Sequence, residues 1–239
     1  MNIKQYKTGI LALLLAAVAT QADAATINLF ERGMYSNGAF SASGPLSTAD
    51  TFADTAPDPA VLLDSTTHTS SMQVTIGGSG GHWFTAAFDL DIDPDGTNIY
   101  YNEVGIQHGN AAGRSWEIGA PADIFADAQA NDLDNSNGIP VGSDPDGDGT
   151  EGDDVAMAMG WNFNLTAGQT AYITLTLSDI NPGGGFYLEQ YDPDSQASVY
   201  FTGNIDIRGG GNNPVPEPAT MLLMGTGLAG LYGAHRKKK

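Results

Sequence analysis

Phe88-Asp89-Leu90-Asp91-Ile92-Asp93 alternates apolar and acidic side chains without a break. Successive side chains of an extended strand point to opposite faces, so the stretch sets Phe88, Leu90 and Ile92 on one face and three carboxylates on the other. It ends a longer run over residues 82–93 that predicts a half-buried strand. Outward from it, residues 26–30, 72–76, 98–107, 155–165, 170–178, 185–190 and 197–207 read as further strands. Gly77-Gly78-Ser79-Gly80-Gly81, Asn181-Pro182-Gly183-Gly184 and Asp192-Pro193-Asp194-Ser195 supply turns between them. Short strands separated by Gly-rich turns, with one short helix at 122–130, predict an all-β fold: an antiparallel β-sandwich or jelly-roll-like domain. Trp161 and Phe163, two apart, share its core face, and Tyr187 and Tyr191 read as packing or rim residues.

Composition narrows what such a domain does. The 239 residues include 28 acids against 9 bases, a net charge of -19, and no cysteine. Nucleic-acid binding needs clustered Lys and Arg to neutralise phosphates, so that class is excluded. Without cysteine there are no disulfides, thiolate zinc sites, iron–sulfur clusters or cysteine nucleophiles.

Both ends of the chain read as addresses. Lys4 and Lys7 precede an apolar run over residues 9–20 that closes on Ala22-Asp23-Ala24-Ala25. This is the layout of a signal peptide (residues 1–24), with Ala22 and Ala24 in the small-residue pockets of signal peptidase and cleavage before Ala25. At the other end a Gly/Asn linker (209–214) leads to Val215-Pro216-Glu217-Pro218-Ala219-Thr220, an apolar stretch, and His235-Arg236-Lys237-Lys238-Lys239. A transmembrane helix over 219–234 would be ~24 Å long at ~1.5 Å per residue, enough to span when the terminal cations reach the headgroups. Those cations hold the C-terminus in the cytoplasm.

The tail from Val215 through Leu231 to the basic end resembles the PEP-CTERM sorting signal, with Pro216-Glu217-Pro218 as its core. The same segment is also called the ice-binding protein C-terminal domain, a name that by itself implies no ice binding. The resemblance implies an inner-membrane-anchored intermediate that an exosortase, a membrane protease-transpeptidase of exopolysaccharide-producing Gram-negative bacteria, cuts near Pro216-Glu217-Pro218. The protein is then expected at the cell surface or outside the cell. Residues 154–165 and 185–194 have the flavour of the exported β-sandwich domains that accompany this signal.

Removing both addresses changes the electrostatics. Within residues 25–213 only Arg32, Arg114 and Arg208 remain against 26 acids, a net charge of -23. Such a body repels anionic surfaces and attracts cations. Nine of the acids lie between Ala126 and Val155, with no base among them. There Asp144-Pro145-Asp146-Gly147-Asp148-Gly149-Thr150 has the Asp-x-Asp-x-Asp-Gly opening of a calcium loop, in which alternating carboxylates converge at a glycine turn. Thr150 would offer its carbonyl, and Asp153 or Asp154 would replace the missing Glu at the twelfth position, where Val155 stands. Asp91-Ile92-Asp93-Pro94-Asp95-Gly96 repeats the spacing, although Asp91 and Asp93 also fit the solvent face of a strand. Hard oxygen ligands without cysteine favour Ca2+ over zinc or copper.

No catalytic residue is assigned, because His68, His82 and His108 lie in no hydrolase or metalloprotease frame. These features point to a non-enzymatic, calcium-stabilised surface or matrix protein with a structural or adhesive role, with exopolysaccharide as a candidate partner. Two alternatives stay open: a secreted polysaccharide-acting enzyme, and a calcium-dependent carbohydrate-binding module.

Overall fold

The computed structural model describes residues 26–44, 68–93, 102–147, 149 and 151–210. The expected signal peptide, the linker from 211 onward, and the C-terminal helix with Pro216, Glu217 and Pro218 lie outside the described residues. Among the described residues no helix is long and apolar enough to cross a membrane.

The described residues form ten strands and one helix in the order β1 (Thr26–Ser36), β2 (Phe40–Ser43), β3 (Thr69–Gly77), β4 (Gly80–Asp93), β5 (Val104–His108), β6 (Ser115–Gly119), α1 (Pro121–Ala130), β7 (Ala156–Leu165), β8 (Gln169–Ser178), β9 (Tyr187–Asp192) and β10 (Ala197–Gly209). They form two antiparallel sheets, one ordered β1-β4-β7-β6 and the other β2-β3-β8-β10-β9-β5. The expected all-β, sandwich-like class is therefore the one observed.

The apolar set of the opening strand does what its period requires. Phe84, Phe88, Leu90 and Ile92 of β4 share one core with Met157, Met159 and Trp161 of β7 and with Ile173, Leu175, Leu188 and Phe201 of the facing sheet. Phe88 and Phe201 join the layers edge-on, with ring centroids 4.9 Å apart. Trp161 is buried there, and Phe163 packs against the core from a partly exposed position.

The other face of the four-stranded sheet is covered as well. Helix α1 starts at Pro121, whose fixed φ suits the first helical position, and ends at Asn131 in the left-handed conformation. Its Ile124, Phe125 and Ala128 pack on Ala87, Ala156 and Ala158, small side chains that let the helix approach the sheet closely. The Thr85 hydroxyl donates to the Ala128 carbonyl at 2.6 Å and fixes the contact.

Candidate metal centre

Asp89 and Asp91 follow Ala87 on the outer face of β4, beyond the helix. They would be exposed if that face were bare, yet they are 2% and 4% exposed. The cover comes from two distant segments that run antiparallel. The Glu103 N–H donates to the Asp153 carbonyl at 3.1 Å, and the Asp153 N–H returns a bond to Glu103 at 3.0 Å. Gly152 permits this approach: its φ is +97°, and a Cβ there would lie 2.4–2.5 Å from backbone atoms of Asn102 and Glu103.

The last β4–β7 pair is Asp89 with Ala156, so the edge of β4 past that point needs other hydrogen-bond partners. Side chains supply them. The Ile92 N–H donates to Glu103 Oε1 at 2.9 Å, and Gln190 Nε2 donates to the Leu90 carbonyl and to Glu103 Oε2. Glu103, fully buried, thus accepts on both carboxylate oxygens.

Asp154 completes the cluster from the segment just before β7. One carboxylate oxygen from each of Asp89, Asp91 and Asp154 falls within 4.8 Å of the other two, the only such group of three among the described residues. Asp89 Oδ1, Asp154 Oδ1 and Gln190 Oε1 are buried without a hydrogen-bond donor. Burial foremost, then the charges of Asp154, Asp91 and Glu31, pushes the Asp89 carboxyl up to about 9. Burial, with Asp91 and Asp153 behind it, raises Asp154 to about 7, and burial also holds Glu103 well above the usual carboxylate range. Carboxylates so placed either carry protons or share a cation.

The structure distributes the sequence candidates differently from their linear grouping. Asp144 uses its oxygens within its own turn, accepting from the Gly147 N–H at 2.8 Å and the Gly149 N–H at 3.0 Å. Asp146 is exposed, Asp153 Oδ1 accepts the Asp154 N–H at 2.8 Å, and Asp148, Thr150, Asp95 and the Asp93 side chain lie outside the described residues. Asp91 of one candidate loop and Asp154 of the other are brought together with Asp89, which neither loop contained. The alternation in β4 placed Asp89 beside Asp91 on one face; the crossing segment that buries them has no local signature.

The histidines make no nucleophile relay among the described residues. His108 Nε2 lies 2.6 Å from Glu189 Oε2, while the Ser198 hydroxyl donates to Glu189 Oε1 and not to the imidazole. His82 Nε2 meets the Gly78 carbonyl, and His68 pairs with Asp179. Tyr187 is buried, stacked on His108 at 4.4 Å, and so packs as expected. A separate shallow cleft is lined by Glu117, Asp123, Ser136, Asp153 and neighbours.

The described chain is thus a two-sheet, all-β domain with a buried carboxylate centre. Residues 214–237 match the PEP-CTERM protein-sorting motif. The motif marks an exported protein that is first membrane-anchored, is processed by an exosortase and then becomes surface-associated. No curated protein and no solved structure matches the chain significantly.

Proposed function

We propose that this protein is a non-enzymatic structural or adhesive module of the cell surface or extracellular matrix. The observation that carries this reading is the sorting motif at 214–237 behind a sandwich-like domain. In this reading signal peptidase cuts before Ala25, and the exosortase cuts near Pro216-Glu217-Pro218. The -23 body, too acidic to hold an anionic surface directly, then joins matrix polysaccharide through neutral or cation-bridged contacts.

The test replaces Pro216, Glu217 and Pro218 together by alanine in the producing bacterium. The variant is expected to stay in the inner-membrane fraction and the cells to lose matrix cohesion, whereas the parent protein reaches the surface. Surface delivery of the variant equal to the parent's would overturn the reading.

A polysaccharide-acting enzyme is favoured by one feature, Glu117, which lines the shallow cleft with a carboxyl raised to about 7 by burial. Release of reducing ends from matrix polysaccharide by the parent, lost in Glu117→Gln, would establish it over the structural role.

A further inference from the structure

We infer that Asp89, Asp91 and Asp154 form a buried calcium site that locks the segment before β7 onto the outer face of β4. Three observations converge. The first is distance: ligand oxygens on opposite sides of a calcium ion, each ~2.4 Å away, stand ~4.8 Å apart. That is the spread within which the three carboxylates fall.

The second is the pattern of unmet oxygens. Glu103 has a donor on each carboxylate oxygen and stands as a supporting residue. Asp89 Oδ1 and Asp154 Oδ1 have none although both atoms are buried, and Asp89 is only 2% exposed. Buried acceptors are almost always hydrogen-bonded, so oxygens left without donors beside further carboxylates call for a positive ligand. Gln190 Oε1 adds a neutral buried oxygen to the adjoining network.

The third is chemistry. The ligands are hard oxygens with no histidine or cysteine among them, which selects calcium or magnesium over transition metals. Magnesium keeps its own waters and demands a small octahedral shell; a largely buried set of carboxylates drawn from two segments suits calcium.

The inference deepens the proposed function and rests on it at one point: export delivers the protein to a compartment where calcium reaches the ~0.1–1 mM that extracellular sites bind. An ion there ties the end of β4 to the start of β7. In a chain without cysteine it supplies the cross-link that a disulfide would otherwise give.

The test uses the full chain, purified in mild detergent, stripped with EGTA and dialysed, so its outcome does not depend on where the protein goes in the cell. Calcium at ~1 mM should raise Tm by about 3–6 °C, magnesium should do less, and equilibrium dialysis at ~1 mM calcium should find one calcium per chain that the parent binds and Asp89→Asn does not. Asp89→Asn and Asp154→Asn each replace a buried carboxyl by a neutral amide of the same size, so both should fold in EGTA with the parent's circular dichroism while losing the calcium shift. Asp144→Asn/Asp146→Asn should keep it. A parent that ignores calcium, an equal response to magnesium, a shift retained in Asp89→Asn and Asp154→Asn, or a shift lost in the Asp144/Asp146 variant would overturn the site.

Discussion

Glu117 shows at the residue scale how the acidity of this chain acts locally. It lies on β6, accepts the Asp134 N–H at 3.3 Å, and has Asp127 and Asp134 as charged neighbours. Burial foremost raises its carboxyl from 4.5 to about 7. A carboxyl raised in the folded state binds its proton more tightly there than in the unfolded chain. Its contribution is favourable at low pH and is lost as pH climbs from about 4.5 through about 7. Glu117→Gln keeps an acceptor for Asp134 and removes the ionisation. The variant should match the parent near pH 4 and exceed its Tm by about 2–4 °C at pH 8, an effect of order 1 kcal/mol after solvent screening. Thermal melts at the two pH values check this; a pH-independent difference would contradict it. The sequence marked Glu117 only as one more acid, since its burial depends on packing between segments far apart in the chain.

At the scale of elements, the strand pattern was largely legible because its cause is local. The alternation at Phe88–Asp93 fixed both the strand and its core face, and the expected turns fell between strands at Gly78-Ser79, 181–184 and 193–195, with Gly77, Gly80, Gly81 and Asp192 taken up by the adjoining strands. The short β2 and β6 carry their alternation over too few residues to stand out: Phe40–Ser43 is mostly exposed, and Ser115–Gly119 sets only Trp116 and Ile118 in the core, with Glu117 on the opposite face. The candidate site was legible only in part, for the same reason. Asp91 and Asp154 were visible as members of two acidic loops, but the ladder between Glu103 and Asp153 joins residues 50 apart, and nothing local announces it. Gly152 is where that ladder is most sensitive. Its substitution by alanine adds strain at a positive φ and a collision with Asn102 and Glu103, and should cost at least ~2 kcal/mol, or ~4–8 °C in Tm. Gly147→Ala is the control, with φ +76° and no atom within 4 Å of the added carbon; it should lose about half as much or less. Equal losses would show that the strand crossing tolerates the extra carbon.

For the whole molecule, charge, fold and address make one account. The chain carries a C-terminal sorting motif of exported, surface-associated proteins, has no cysteine, and concentrates its few cations near its two ends, leaving residues 25–213 at -23. A body so acidic repels itself, and where carboxylates are buried the cost of their charge is greatest; in the reading proposed above, a divalent cation meets that cost where protonation otherwise would. The same cation also separates the structural reading from a sugar-binding one, because a structural ion is enclosed by protein ligands while a sugar-bridging ion keeps a position open to solvent. A crystal structure of the protein grown in calcium, with anomalous scattering to locate the ion, decides this directly. The account predicts one calcium between Asp89, Asp91 and Asp154, its remaining ligands drawn from the protein or enclosed water. Calcium in the Asp144–Thr150 loop alone, or an ion with a coordination position open to a cleft, would contradict it.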